Sequence, residues 1–195
     1  MYPYNFKRGQ RIQTNVDGVA CDRGFLAHFQ VTADAAVAAS NTGVRAAITL
    51  TGAVQVITAG ITSPAVCRAL QIKGNQAGVA DNVVIEGTNY AGETIIETIA
   101  ANGSTVVEGN KAFKTVTKIT VPVLVGAGDT ISVGWNDKLG LPYKLAHNTV
   151  VAAIRNNVRE VTAPTVTVSA TAMESNTCKL ASALAGTIVD VYLIV

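Results

Sequence analysis

Short runs of β-branched and apolar residues, separated by glycine, asparagine and aspartate, fill residues 68–145 of this chain. The breaks recur at intervals of roughly ten residues, which is the spacing expected of strands in an antiparallel sandwich or barrel. Within residues 130–135 the side chains of Ile131, Val133 and Trp135 alternate with small or polar ones. Because neighbouring side chains of a strand point to opposite faces, this alternation predicts a strand with one face in a core.

The composition of the whole chain favours the same class. Charged residues make up 14% and aromatic residues 5% of the sequence. β-Branched side chains favour pleated strands, and the shortage of charged residues leaves little material for solvated helices. We therefore predict an all-β protein, built as an antiparallel β-sandwich or barrel over residues 46–195, with an extended N-terminal arm over residues 1–45.

Three further segments carry local predictions. The alternation in residues 113–121 predicts one strand, with Phe113, Ile119 and Val121 on a common face. Asn102-Gly103 lies between two β-rich runs and tolerates the positive φ angles of a tight turn, so it predicts a hairpin. The nearly continuous apolar run of residues 187–195 would aggregate as a free edge, which predicts either a central strand or cover by another subunit.

The first residues of the chain are richer in aromatic and basic side chains than the remainder. Such a segment suits an arm lying across a partner's surface, with aromatic anchors and basic groups that pair with carboxylates. An edge strand folded onto the main sandwich explains the same residues equally well. On the first interpretation, the candidate partner-binding residues are Tyr2, Tyr4, Phe6, Lys7, Arg8 and Arg11.

Residues that commonly carry catalysis or bind metals are few and scattered. His28 and His147 are isolated in the sequence, and Cys21, Cys67 and Cys178 lack the spacing of a zinc site or a disulfide framework. The cysteines are predicted to be small buried thiols in a reducing compartment. We predict a protein that is not an enzyme, with no catalytic residue, no metal and no cofactor.

Three glutamates, Glu86, Glu93 and Glu97, fall close together in the strand-rich region. Paired carboxylates can serve as acid and base, but nothing in the pattern indicates that one of them has a raised pKa. Ordinary outward-facing strand residues are the preferred interpretation for all three.

The charge balance and the hydropathy pattern exclude two classes of partner. The net charge is +2 and the basic residues are dispersed, so nucleic acid is not predicted as a partner. The first residues lack a stretch of signal-peptide type, and no apolar run has the length needed to cross a bilayer. The sequence therefore predicts a soluble product made in the cytoplasm, without a membrane partner.

A group of turn and strand motifs resembles small virion proteins of tailed bacteriophages. The resemblance covers residues 81–145. It consists of a Val-Ile-x-Gly-Thr strand, a Glu-Thr-Ile strand, the Asn-Gly turn, a Gly-x-Lys-Ala-Phe-Lys-Thr-Val segment and a Lys-Leu-Gly-Leu-Pro run, at residues 84–88, 93–95, 102–103, 109–116 and 138–142. No active-site residues accompany this family, so none can be transferred to the chain.

This resemblance implies a structural role as a decoration, or cement, protein on the outer surface of a capsid. The expected partners are the major capsid protein and further copies of the chain, in a homo-oligomer whose expected stoichiometry is a trimer, since lattices present three-fold positions. The expected location is the virion. The alternatives are a tail or head-fibre component, or a carbohydrate- or surface-binding β-module; a hydrolase is the third choice.

Overall fold

A computed structural model describes the backbone of residues 11–13 and 20–22 and the whole of residues 24–195. These residues form strands joined by turns, together with a 3₁₀ turn at Met173–Ser175. The strands are β1 (Arg11–Gln13), β2 (Ala20–Asp22), β3 (Leu26–Val31), β4 (Ser40–Thr49), β5 (Gln55–Ile57), β6 (Arg68–Gly74), β7 (Asn82–Thr88), β8 (Thr94–Ala100), β9 (Val107–Phe113), β10 (Thr115–Val121), β11 (Thr130–Gly140), β12 (Val150–Arg155), β13 (Val158–Arg159), β14 (Thr165–Thr167), β15 (Thr177–Lys179) and β16 (Val189–Ile194).

The described strands pair antiparallel in several sheets. One four-stranded sheet has the order β5-β10-β7-β8, and a six-stranded sheet has the order β14-β15-β11-β6-β9 with β4 also paired to β11. A second four-stranded sheet has the order β13-β12-β16-β3, and β1 pairs with β2. The predicted all-β, antiparallel sandwich or barrel architecture is confirmed.

Two apolar clusters form the interior. The first lies among β4 to β11 and includes Leu70, Ile72 and Ile85. The second is formed largely by the sheet of β3, β12 and β16 and by residues that follow β11, and it includes Val191 and Leu193. Each fully buried side chain of this size stabilises the fold by about 1.5 to 3 kcal/mol relative to an exposed one.

β11 connects the two clusters, because it is long enough to contribute to both. Ile131 and Val133 are fully buried in the first cluster, and Leu139 is fully buried in the second. The predicted core face of this strand is therefore confirmed for Ile131 and Val133. Trp135 is half-buried instead: its ring packs on the edge of the first cluster and its Nε1 donates to the carbonyl oxygen of Ala38 at 3.2 Å.

The strand predicted for residues 113–121 is confirmed over Thr115–Val121, but Phe113 belongs to another strand in a different sheet. β9 ends at Phe113 in the six-stranded sheet, and β10 begins at Thr115 in a four-stranded sheet. The register of β10 against β7 shifts between Val116 and Lys118. This bulge turns Val116 toward the core that Ile119 and Val121 also face, although strict alternation places it on the opposite side.

The turn predicted at Asn102-Gly103 is present, but the hairpin is wrong. Gly103 has φ of +57°, and Asn102 bridges to Thr105. The flanking strands β8 and β9 belong to different sheets, so they do not pair as a hairpin. The turn packs instead against the loop that follows β6: the amide of Gly103 donates to the Val79 carbonyl, and its own carbonyl accepts from Gly74. Turn residues determine the local backbone conformation, but they do not determine which strand the next strand pairs with.

The ends of the described chain are joined in one sheet. β16 lies between β12 and β3, which confirms the prediction of a central C-terminal strand.

The boundary predicted at residue 45 falls within β4, which pairs with β11, so residues 26–45 belong to the β-structure and not to a separate arm. The sequence of β4 did not indicate a strand, because Ser40–Thr49 begins with Ser-Asn-Thr-Gly and lacks clean alternation. In the remaining part of the predicted arm, residues 1–25, the structure describes the backbone of β1 and β2 together with Gly24 and Phe25.

Candidate functional site

The partner-binding residues predicted from the sequence cannot be compared with a site. Tyr2, Tyr4, Phe6, Lys7 and Arg8 lie outside the described residues. Arg11 is described only as backbone, where it begins β1 opposite Asp22. Contact between this segment and a partner therefore stays a prediction.

The hairpin formed by β12 and β13, together with the residues that follow it, carries strongly exposed apolar side chains. Its two-residue turn is Asn156-Asn157, and both residues have positive φ, at 50° and 63°. Asparagine tolerates this left-handed conformation, which matches the twist of the flanking strands. The hairpin closes with Arg155 opposite Val158.

We use the name valine surface for Val151, Val158 and Val161, which are 53%, 68% and 103% exposed. Two shallow grooves adjoin it and share residues 159–161. One, of about 340 Å³, is also lined by residues 150–153 and Pro164, and the other, of about 330 Å³, by Ser182 and its neighbours. Exposed apolar residues that cluster beside concave surface are typical of a protein–protein contact.

The backbone beneath the valine surface is held in place by several polar contacts. The amide of Glu160 donates to the Ala153 carbonyl at 2.9 Å. The Glu160 carboxylate accepts from the Ser182 amide at 3.1 Å and lies 3.6 Å from the Arg155 guanidinium. The amide of Asn156 donates to the Ile188 carbonyl at 2.9 Å. Because these bonds order the segment before any partner arrives, less conformational entropy is lost on binding.

β13 is an edge strand of its sheet. An edge presents unpaired backbone groups, and proteins usually protect such edges with charge or short strands. β13 is short and carries Arg159, but it also presents Val158 to solvent. The arrangement suits association with another protein surface.

The outward orientation predicted for Glu97 is wrong. In β8 the buried side chains are Ile95, Glu97 and Ile99, and Glu97 is only 9% exposed. Its Oε1 accepts hydrogen bonds from the amides of Asn110 at 2.6 Å and Lys111 at 3.1 Å. Burial raises the pKa of Glu97 above its ordinary value, against the lowering effect of these bonds and of nearby lysines. The alternation of isoleucines around Glu97 was the signal for this burial.

A cluster of charged groups lies next to Glu97. Glu108 pairs with Lys138 at 3.2 Å and with Lys179 at 3.0 Å. Burial alone would favour the neutral form of Glu108, but the bonds from Lys179 and Lys138 outweigh it and hold its pKa below the ordinary value. The cluster links β9, β11 and β15 across the six-stranded sheet, and each charge in it has a partner.

The remaining candidate residues have structural partners. His28 Nε2 lies 2.7 Å from Asp190 Oδ1, and its ring stacks on Tyr192 with centroids 4.6 Å apart, which ties β3 to β16. Chain positions 162 residues apart form this pair, so spacing along the sequence gave no sign of it. Cys67 and Cys178 are buried and free, as predicted, and burial raises the pKa of each thiol to about 12. Such thiols are unreactive at neutral pH.

Two further features are absent from the described residues. No group of three or more His, Cys, Asp or Glu residues in residues 24–195 is arranged to hold a metal ion. No helix within the described part of the chain has the length and apolarity to cross a membrane.

Comparisons of the chain with protein-family models, with curated proteins and with solved structures find no match. The structure shows an all-β protein with an exposed apolar surface. The motifs that resemble those of phage virion proteins lie between β7 and the residues that follow β11. Most of their buried apolar residues belong to the first apolar cluster, whereas Leu139 and Leu141 of the last motif belong to the second.

Proposed function

We propose that the protein is a structural virion protein that decorates and stabilises the outer surface of a tailed-phage capsid, with the major capsid protein as its partner. The observation that carries this proposal is the valine surface, three strongly exposed apolar side chains on a well-anchored hairpin. The motif resemblance of residues 81–145 supports the virion assignment. In this role the protein bridges neighbouring capsomers.

Multiplicity supplies the stabilisation in this proposal. Burial of one exposed valine contributes at most about 1.5 to 3 kcal/mol, so a single copy gains a modest contact energy from the surface. A capsid lattice repeats the contact at every equivalent position, and a copy that touches two capsomers links them. Many weak contacts then raise the resistance of the shell to heat and osmotic shock.

Self-association is part of the same proposal, with a trimer as the expected oligomer. The apolar C-terminal run no longer supports it, because β16 is buried between two strands of its own sheet. The support comes from the exposed valines, which include Val56 on the edge strand β5 and Val54 just before it, as well as the valine surface. Exposed apolar side chains at sheet edges are sites where copies of a chain can pair.

The double variant Val158→Ser/Val161→Ser is expected to weaken binding to capsid shells. Loss of two apolar contacts should cost about 2 kcal/mol, or roughly 30-fold in the dissociation constant of one copy. Co-sedimentation of purified protein with shells assembled from the major capsid protein of the same genome measures the effect. Thermal melting checks that the variant remains folded.

The matched control is Val123→Ser/Val125→Ser, which makes the same change in the loop between β10 and β11, at side chains that are 38% and 65% exposed. It should bind shells like the unaltered protein. Equal binding by the Val158/Val161 variant and the unaltered protein would remove the valine surface from the proposed contact. Failure of the unaltered protein to sediment with shells would contradict the proposed function itself.

A polar groove gives some support to a carbohydrate-binding module as the second candidate. It has a volume of about 430 Å³ and is lined by Asn41, Thr42, Lys73, Gly74, Asn75, Ser104, Thr130 and Ser132. Amide and hydroxyl groups of this kind bind sugar hydroxyls, although the described lining lacks the aromatic ring on which sugars usually stack. Binding to a glycan array, abolished by Asn41→Ala, would favour this candidate over capsid decoration.

A further inference from the structure

The backbone of β9 carries a bulge beside Glu97. In the pairing of β6 with β9, Ala69 lies opposite Ala112 and Gln71 lies opposite Glu108. Leu70 alone therefore faces three residues of β9, at positions 109–111. The amides of Asn110 and Lys111 turn away from β6 and donate to Glu97 Oε1. One carboxylate oxygen thus replaces the ladder partners that the bulge removes.

Glu97 also joins two sheets. It belongs to β8, the edge of one four-stranded sheet, whereas the bulge belongs to β9, the edge of the six-stranded sheet. A second contact crosses the same boundary, where Lys111 Nζ donates to the Ile96 carbonyl at 2.9 Å. The two edges are therefore held together largely by side chains, because β8 and β9 do not pair as strands.

The second carboxylate oxygen of Glu97 has an unusual environment. Oε2 is buried and has no hydrogen-bond partner among the described residues. It lies so close to Gly109 that a Cβ atom at that position would be 2.6 Å away. A buried charged oxygen without a hydrogen-bond donor is strongly unfavourable. A proton on Oε2 removes the charge, and Oε1 can still accept hydrogen bonds from both amides.

The charged groups that face Glu97 have other partners. Lys111 of β9 binds the Ile96 carbonyl, and Lys138 of β11 binds the Gly109 carbonyl at 2.9 Å and Glu108 at 3.2 Å. From β7 the residue opposite Glu97 is Ile85, which is apolar. Neither ammonium group donates to Oε2, so the carboxyl group has no direct ionic partner to hold it in its charged form.

We propose that Glu97 is a proton-controlled latch, which closes β8 onto the bulge of β9 when it is protonated and releases it when it ionises. The latch is a property of the fold and does not depend on the proposed function. It makes the contact between the two sheets sensitive to pH, with the bulge at positions 109–111 as the element that moves.

The direction of the pH dependence follows from burial. Burial raises the pKa of Glu97 in the closed state above its ordinary value of 4.5, which the open state would have. The closed state therefore binds more protons than the open state between these two pKa values. Closure is complete below the ordinary pKa, weakens as the pH rises through the interval, and becomes independent of pH above the raised pKa.

Hydrogen exchange at the amides of Asn110 and Lys111 tests the latch. After correction for the intrinsic exchange rate, their protection should fall by up to roughly tenfold for each pH unit between the two pKa values, because one proton is released on opening. In Glu97→Gln, which keeps an acceptor oxygen and cannot ionise, protection should not depend on pH. The control Glu86→Gln removes a carboxylate from the neighbouring strand β7 and should behave like the unaltered protein.

Infrared spectroscopy tests the protonation of Glu97 without relying on a folded variant. The carbonyl band of a neutral carboxylic acid should persist in the unaltered protein above the pH range in which exposed carboxylates ionise, and its loss should coincide with the loss of amide protection. Absence of this late step, or amide protection that is independent of pH in the unaltered protein, would overturn the proposal. Persistence of the late step in Glu97→Gln would also overturn it.

Discussion

Val133→Asp is expected to lower the free energy of unfolding by about 4 kcal/mol or more, because it places an unpaired charge in the first apolar cluster. Val133 is fully buried, and β11 is covered on both edges by β6 and β4. The new carboxylate would have no route to solvent and no cationic partner within the cluster. Chemical denaturation monitored by Trp135 fluorescence measures the loss.

Ser132→Asp is the matched control for this variant. Ser132 precedes Val133 on the opposite face of β11 and lies opposite Lys73, which could pair with the new carboxylate. Its effect should stay within about 1 kcal/mol. Similar stability losses for the two variants would show that the face assignment of β11 is wrong.

Arg68→Met is expected to destabilise the protein by about 3 to 5 kcal/mol, since it removes one partner of a buried ionic network. Arg68 is only 1% exposed. Its Nε donates to the Asn136 carbonyl at 2.7 Å, and its two terminal nitrogens donate to the Val37 carbonyl at 2.9 Å and to Asp137 at 3.1 Å. Burial lowers the pKa of Arg68 to about 10, against the raising effect of Asp137, so the group stays charged at neutral pH.

The double variant Arg68→Met/Asp137→Asn separates the loss of the Arg68 hydrogen bonds from the cost of leaving the Asp137 carboxylate without its partner. It removes the carboxylate charge that Arg68→Met leaves without its partner, so it should recover part of the stability. Arg155→Met serves as the control, because its contact with Glu160 is long and partly exposed, and it should cost less than about 1 kcal/mol. An Arg68 variant as stable as this control would contradict a structural role for the buried network.

Alternation in the sequence predicted burial well wherever a strand kept one face in the core. Ile131 and Val133 were assigned correctly for this reason, and the C-terminal strand was placed correctly because a free apolar edge would aggregate. The same rule was available for Glu97, which stands between Ile95 and Ile99 in strict alternation. Glutamate, however, is rarely buried without a paired charge. The amides that donate to Glu97 come from a bulge of β9, which the local sequence pattern does not show.

Contacts between distant parts of the chain could not be predicted from local patterns. Asn102-Gly103 forms its turn, yet the strands on either side join different sheets, because strand partners are chosen by the packing of the whole domain. The division between β9 and β10 follows from the same choice. The valine surface could not be predicted, because the sequence of a β-rich chain does not distinguish an exposed valine from a buried one. The geometry of the hairpin is what shows that these valines are exposed.

A density map of phage particles that carry this protein tests the proposed function most directly. The proposal predicts copies of the β-domain on the outer surface of the capsid, at equivalent lattice positions, with the hairpin of β12 and β13 in contact with the major capsid protein. Particles that carry the protein only in the tail, or that show no density for it on the shell, would contradict capsid decoration.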